Sequence, residues 1–145
     1  MPPIERGSIN PRMSGWIKHG NVVYTSGQVG EPGPEVDGAK TAMSVTEQAT
    51  AIFAKIDALL AEAGTDKSKA LQGQVWLSDI GTFAGELAPR SCHGSLALTP
   101  CALLAEFNAV WDAWVTPGAP PVRCCTEAKL AFPWFTVEVM ITAAA

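Results

Sequence analysis

Arg123 and Glu138 are the two residues whose types and spacing suggest small-molecule chemistry in this sequence. They lie near the two ends of the apolar stretch PVRCCTEAKLAFPWFTVEVM, which runs from Pro121 to Met140. A guanidinium grips a carboxylate in a planar, bidentate geometry, and a glutamate can orient and deprotonate water. The alternative interpretation is a cross-strand salt bridge on a solvated face, which contributes roughly 0.2–1 kcal/mol.

The spacing of this stretch predicts two strands joined by a turn. Alternation along the first strand places Arg123, Cys125 and Glu127 on one face. Folding back at the Ala131–Pro133 turn would bring Glu138 within a residue or two of the level of Arg123. We therefore expect the two side chains to lie close together.

Hydrophobic periodicity and turn residues predict the other elements. A hairpin joins strands near Gly15–Lys18 and Val22–Gln28, and a helix runs from Ser44 to Ala63, with Gly64 placed to end it. The stretch ALQGQVWLSDI predicts a third strand, and LLAEFNAVWDAW predicts a second helix. The resulting order, β-β-α-β-α-β-β, indicates an α+β domain with two helices on one face of a largely antiparallel sheet.

The composition indicates a single folded domain that associates with copies of itself. Its 145 residues are 48% hydrophobic and 17% charged, with five Trp and five Phe. That is a low charged fraction and a high aromatic content for one small core, which favours an oligomer over an aromatic-rich monomer.

Charge and hydropathy argue against nucleic acid and membrane as partners. The formal net charge is −4 and no basic run is present, so nothing would attract a phosphate backbone or an anionic membrane. No uncharged apolar run approaches the ~20 residues that span a bilayer, and the N-terminus lacks the apolar region of a secretory signal.

The cysteines predict a reducing compartment, which we expect to be the cytoplasm, with an organelle not excluded. Cys124 and Cys125 are adjacent on a predicted strand and point to opposite faces, which makes a poor disulfide framework. Cys92, His93, Cys101 and Cys124 have no recognised zinc-ligand spacing. No motif places a histidine to activate Cys125 as a nucleophile.

Six stretches of the sequence together resemble one protein family. They are VVYTSGQVG, the helix ending EAG, VWLSDI, FNAVW, PPVRCC and the closing VEV. In this order they are similar to the Rid family, the reactive-intermediate enamine/imine deaminases formerly called YjgF-like proteins. The resemblance implies a chorismate-mutase-like α+β fold and a homotrimer whose sheets line a central barrel, with three pockets at the subunit interfaces.

The resemblance also implies roles for individual residues. Arg123 would bind the substrate carboxylate, and Glu138, fifteen residues later, would position water. The other positions that match the family's substrate-binding residues are Ser26, Gly27, Asn108 and Cys125.

One position departs from the family pattern. Met13 stands where many deaminase members carry a tyrosine, about thirteen residues before Ser26. We expect Trp16 to supply an aromatic wall of the pocket instead. The departure leaves open which imino acid is preferred and how strong the activity is.

The implied activity is hydrolytic deamination of 2-imino acids to 2-oxo acids and ammonia, with no metal or organic cofactor. The alternative is a non-catalytic trimer that binds small carboxylates or has a regulatory role. Ribonuclease activity, which the family's older names suggest, is disfavoured by the sequence pI of about 5.1 and the lack of basic or stacking clusters.

The segment Gly85–Ala105 does not fit the resemblance. Deleting it would join Thr82-Phe83-Ala84 to Glu106 and restore a Thr-x-x-Glu capping box at the start of the second helix. We expect it to be either a translated retained intron or a genuine loop in which Thr99-Pro100 starts the helix. Sequencing genomic DNA and transcripts distinguishes the two.

Overall fold

A computed structural model describes residues 2–80 and 106–145 of the chain. These residues form a sheet with helices packed on one face, the α+β arrangement that the sequence predicts. The predictions for Gly85–Ala105, including a helix start at Thr99-Pro100, lie outside the described residues.

The described residues form nine strands: β1 (Ile4–Gly7), β2 (Trp16–His19), β3 (Val22–Thr25), β4 (Gln28–Val29), β5 (Glu35–Val36), β6 (Ala39–Lys40), β7 (Ala70–Leu77), β8 (Val122–Glu127) and β9 (Val137–Ala144). The main sheet has the strand order β1-β2-β3-β9-β7-β8, and β4 also pairs with β9. Strands β5 and β6 form a separate small hairpin.

The long helix α1 (Val45–Glu62) begins and ends close to the predicted residues. Ser44 is its N-cap: the Ser44 hydroxyl accepts from the Glu47 backbone N–H, and the Glu47 carboxylate accepts from the Ser44 backbone N–H. This capping box satisfies two backbone donors at the helix start. Gly64 follows the helix with a φ of 81°, which glycine adopts without a steric penalty.

The predicted N-terminal hairpin is confirmed as β2 and β3. Two other pairings were not predicted: β1 pairs with β2, and β5 pairs with β6 between the predicted hairpin and the first helix. Asp37 and Gly38, both with positive φ, form the two-residue turn between β5 and β6. An Asp-Gly pair is a strong hairpin signal, so this turn could have been recognised from the sequence.

The predicted C-terminal hairpin is wrong. Strand β8 pairs in parallel with β7, and β9 pairs antiparallel with the other edge of β7, so β7 lies between them. A parallel pair needs a long crossover, and the chain between β7 and β8 contains the helix α2 (Glu106–Trp114). Strand β9 takes a central place because every second residue from Val137 to Ala143 is fully buried.

The core lies between the helices and one face of the sheet. Phe107, Trp111 and Trp114 of α2 are buried against α1, where the Phe53 ring stacks on Trp114 with ring centroids 4.7 Å apart. The second sheet face carries half-buried residues that include Trp76, Glu138 and Met140. In the described parts of the chain, no helix is long and apolar enough to cross a membrane.

Candidate functional site

Arg123 lies on the helix-facing side of β8 and is held by two residues of α2. Its Nη1 donates to Asn108 Oδ1 at 3.1 Å. Its guanidinium carbon lies 4.8 Å from the centroid of the Trp111 ring, within the range of a cation–π contact. Asn108 and Trp111 are three residues apart and therefore share one face of the helix. We call Arg123, Asn108 and Trp111 the arginine cluster.

Gly73 makes room for this cluster. It is the residue of β7 directly opposite Arg123. A β-carbon at Gly73 would lie 2.5 Å from Cη2 of Trp111, closer than side chains tolerate. The glycine therefore allows the indole, which is 6% exposed, to lie against β7 beneath the guanidinium.

Cys125 lies two residues after Arg123 on the same face of β8 and packs against the core. Burial raises the pKa of the Cys125 thiol, and the Arg123 guanidinium offsets this only in part. The thiolate is the reactive form of cysteine, so the raised pKa argues against a nucleophilic role.

Glu138 lies on β9, opposite Trp76 and on the second sheet face. It is half-buried, and burial raises the pKa of its carboxyl group. Gly27 lies directly beside it: a β-carbon at Gly27 would overlap Glu138 Oε1. The glycine thus gives the carboxyl group its space.

The backbone next to Gly27 leaves the regular ladder between β3 and β4. The Thr25 hydroxyl donates to the Ile141 carbonyl at 3.2 Å and accepts from the Ile141 N–H at 3.0 Å. These side-chain bonds hold β9 where the strand pairing is interrupted. The Gln28 amide Nε2 then donates to Ser26 Oγ at 2.7 Å. We call Glu138 and its neighbour Gly27, which Ser26 and Gln28 flank in the sequence, the glutamate cluster. Gln28 was not among the residues predicted from the sequence, although it sits two positions after Ser26 and so can share its face.

A second glutamine that was not predicted from the sequence holds the segment that leads into β9. Gln48 of α1 is fully buried; its Nε2 donates to the Trp134 carbonyl at 2.8 Å, and its Oε1 accepts from the Thr136 N–H at 3.1 Å. Buried polar groups need such partners, and these tie α1 to the segment two residues before Glu138. Hydrophobic periodicity does not identify a polar residue such as Gln48 as part of the buried face of a helix.

The arginine cluster and the glutamate cluster do not meet within one chain. Arg123 lies opposite Gly73, whereas Glu138 lies opposite Trp76, one strand further across the sheet. Two strand spacings of about 4.8 Å and three residues of about 3.3 Å each separate the α-carbons by roughly 14 Å. The side chains also lie on opposite sheet faces. The expected proximity of the pair is therefore wrong for a single chain, and so is a cross-strand salt bridge between adjacent strands.

Trp16 and Met13 take different places. Trp16 is 7% exposed and belongs to the core, with its indole beneath Gly7. Met13 is 48% exposed, and its N–H donates to Asn10 Oδ1. We leave Trp16 out of the proposed site because its ring is occupied in packing.

No group of three or more His, Cys, Asp or Glu residues within 2–80 and 106–145 could hold a metal ion. Three of the residues considered for zinc, Cys92, His93 and Cys101, lie outside that range.

Comparisons with known proteins place the chain in a family. The family model described as endoribonuclease L-PSP matches residues 8–90. A RutC family protein from Haemophilus influenzae is 33% identical over 140 residues, which cover 97% of this chain and 97% of the relative. The RutC family protein YoaB from Escherichia coli is 32% identical over 141 residues, again 97% of each chain.

A solved structure gives the same result at the level of the fold. NMB1025 from Neisseria meningitidis, a member of the YjgF protein family, is 33% identical and superposes with a TM-score of 0.75. The similarity covers 98% of this chain and 94% of that chain. The helices on one face of a mixed, largely antiparallel sheet are the chorismate-mutase-like α+β fold of this family. The chain belongs to the YjgF/Rid/RutC family.

Proposed function

We propose that this protein hydrolyses 2-imino acids and related enamines to 2-oxo acids and ammonia. The observation that carries the proposal is the arginine cluster: an arginine positioned by an amide and an aromatic ring. A planar guanidinium held in this way suits a small carboxylate. A second group suited to the reaction is the half-buried Glu138, the pKa of whose carboxyl group is raised by burial.

The reaction needs a bound carboxylate, a positioned water and a proton carrier. Arg123 holds the carboxylate next to the C=N carbon. Glu138 takes one proton from water as the oxygen adds to that carbon and passes it to the nitrogen, which gives a carbinolamine. The hydroxyl proton of the carbinolamine then moves to the nitrogen by way of Glu138 as the C=O bond forms and the C–N bond breaks. The products are a 2-oxo acid and ammonia, so no electrons are transferred. Imines already hydrolyse slowly in water, and orientation and electrostatics are what the protein adds.

We propose that each complete site combines two copies of the chain. The arginine cluster of one copy would face the glutamate cluster of its neighbour, because the two clusters of a single chain lie on opposite sheet faces. Membership of the family supports a homotrimer with three such interfacial pockets. The half-buried second sheet face supports it too, since that surface becomes covered on association.

Asn108, Cys125, Ser26 and Gly27 complete the proposed pocket. Asn108 orients Arg123 directly. Cys125 shapes the wall beside Arg123 and contributes backbone groups. Gly27 borders Glu138, and Ser26, the residue before it, would help to define the space for the reacting carbon and water.

The second candidate function is binding of small carboxylates without turnover, as a regulatory trimer. Met13, which stands where many deaminase members carry a tyrosine, favours this candidate. The arginine cluster alone would serve it. Nucleic-acid cleavage receives no support from a net charge of −4.

We propose a cytoplasmic location. The thiols of Cys124 and Cys125 are free, with Cys124 exposed, which supports a reducing environment. Locating a tagged copy by microscopy checks this.

The test generates an imino acid in place with an amino-acid oxidase and traps it with semicarbazide. We expect the protein to compete with the trap, so that semicarbazone formation slows in proportion to protein concentration and free ammonia appears faster. Heat-inactivated protein is the control. Semicarbazone formation at an unchanged rate, together with calorimetric binding of 2-oxobutanoate, would favour the non-catalytic candidate.

A further inference from the structure

The hydrogen bonds around Ser26 fix which of its atoms remain available to a ligand. The Ser26 N–H donates to the Gly15 carbonyl at 2.8 Å. The Gln28 Nε2 lies 2.7 Å from Ser26 Oγ, 3.3 Å from the Ser26 carbonyl and 3.3 Å from the Gly27 carbonyl. The Gln28 amide group therefore contacts three acceptors of the turn: the Ser26 hydroxyl and the Ser26 and Gly27 carbonyls.

The identity of the Gln28 atom follows from chemistry. The O and N of a glutamine side chain are distinguished by their partners, and a backbone carbonyl only accepts hydrogen bonds. Two carbonyls face the Gln28 amide, so its nitrogen is the atom turned toward Ser26. The Ser26 hydroxyl oxygen consequently accepts from Gln28.

A serine hydroxyl that accepts in this way still has its own hydrogen to donate. Among residues 2–80 and 106–145, no acceptor takes that hydrogen from the Ser26 hydroxyl. An acceptor on a ligand, such as a carboxylate oxygen, would complete the set of hydrogen bonds.

We propose that Gln28 is a positioning residue that holds Ser26 as a hydrogen-bond donor to the substrate carboxylate. This inference rests on the proposed function, because it takes a small carboxylate as the ligand of the site. The carboxylate is then bound from two sides: by the guanidinium of Arg123 from one copy, and by the Ser26 hydroxyl from its neighbour. Gln28 itself stays outside the contact with substrate and selects for ligands that accept at this point.

The test is a mutant cycle on binding of 2-oxobutanoate, measured by calorimetry, with KM and kcat measured in parallel. Gln28→Met keeps the length of an unbranched side chain and removes the donor. We expect it to weaken binding about threefold, which is within the range of one neutral hydrogen bond. Ser26→Ala should weaken binding about tenfold, near the lower end of the range for one hydrogen bond to a charged group. The double variant should bind as Ser26→Ala does, because Gln28 acts only through the hydroxyl.

Gln28→Glu supplies the opposite polarity, since a carboxylate accepts the Ser26 hydrogen. It also adds a charge, whose direct effect on the ligand is measured in the Ser26→Ala background. We expect Gln28→Glu to cost at least about fivefold more affinity when Ser26 is present than when it is replaced. For the uncharged variant Gln28→Met, the loss should appear in KM, with kcat and the pH profile little changed.

The outcomes separate this inference from the proposed activity. Equal effects of the Gln28 substitutions in both backgrounds overturn the role of Gln28, as does a wild-type protein that fails to bind 2-oxobutanoate. Binding with the expected coupling but without imine turnover supports the role of Gln28 and overturns the deaminase proposal. Thermal melting and the oligomeric mass of each variant identify losses that come from misfolding.

Discussion

Arg123 is held in place by two side chains of its own chain. Asn108 Oδ1 accepts a hydrogen bond from an N–H group of Arg123, and the Trp111 ring packs against one face of the guanidinium. Ordering a long side chain in advance reduces the entropy that a ligand would otherwise lose on binding. A residue prepared in this way should dominate the recognition of a small carboxylate.

Arg123→Ala should therefore lower kcat/KM for a small 2-imino acid by roughly a hundredfold or more. Charged hydrogen bonds contribute about 1.5–3 kcal/mol each, and 1.36 kcal/mol corresponds to about tenfold. Arg123→Lys should recover only part of the loss, because an ammonium group lacks the planar fork. The semicarbazide competition assay measures both, with Arg6→Ala as the control for loss of an exposed arginine. Full activity of Arg123→Ala would show that the arginine cluster is structural.

Glu138 should give the pH profile its acidic limb. A general base acts in its ionised form, and burial raises the pKa of this carboxyl group, so kcat/KM should rise as pH increases through that raised pKa. Glu138→Gln should abolish the limb and depress kcat more than binding. Glu35→Gln, at an exposed position on β5, is the matched control. An unchanged limb in Glu138→Gln would assign the titration to another group.

The same carboxyl group should lower stability at neutral pH. Its folded-state pKa is raised, so its contribution favours folding fully below the unfolded-state pKa and is lost as pH rises through the folded-state pKa. Glu138→Gln should thus melt at a higher temperature than wild type at pH 7, with the difference vanishing in acid. A lower melting temperature at pH 7 would contradict this direction.

At the scale of elements, β7 is the strand that organises the site. It separates β8 from β9, and its Gly73 accepts the Trp111 ring that supports Arg123. Helix α1 acts on the other cluster: Gln48 fixes the segment that leads into β9. The two helices therefore position the two clusters separately.

Local patterns predicted much of this arrangement. Apolar periodicity and Gly64 bounded α1, and simple alternation placed Arg123 and Cys125 on one face of β8. The predicted pairing of β8 with β9 was wrong, because both strands pair with β7 instead. Two consecutive strands have the same sequence pattern whether they pair with each other or with a third strand. Gln28 and Gln48 were missed because their roles arise from tertiary contacts, which periodicity does not reveal.

Gly73→Ala tests whether the packing of Trp111 against Gly73 positions Arg123. The added methyl group would lie 2.5 Å from the indole, and overpacking of this kind costs about 1–3 kcal/mol. Displacing the ring should also displace Arg123, so we expect a lower melting temperature together with a higher KM. Ile56→Val in the buried face of α1 provides a destabilised control, for which KM should not change. Equal KM values for both variants would separate Gly73 from the site.

At the scale of the whole molecule, the two sheet faces differ in how they are covered. One is covered by α1 and α2, and the second, with Glu138 and Trp76, is half-buried in the single chain. Association of three chains would cover this second face and bring each arginine cluster to a neighbour's glutamate cluster. The low charged fraction of 17% agrees with such an assembly. Light scattering at micromolar concentration should give three times the 15.2 kDa of one chain, and a monomer would remove the interfacial pocket.

Mixing two inactive variants tests the shared site most directly. Arg123→Ala and Glu138→Gln subunits are unfolded together at equal concentration and refolded, so that trimers assemble at random. A site that takes Arg123 from one copy and Glu138 from its neighbour is intact when both contributing subunits are of the right kind, which happens for about one quarter of sites. We predict that the mixture recovers about a quarter of the wild-type imine-hydrolysing activity, although each variant refolded alone stays inactive. Mixed trimers that remain as inactive as either variant alone would contradict a site built from two copies.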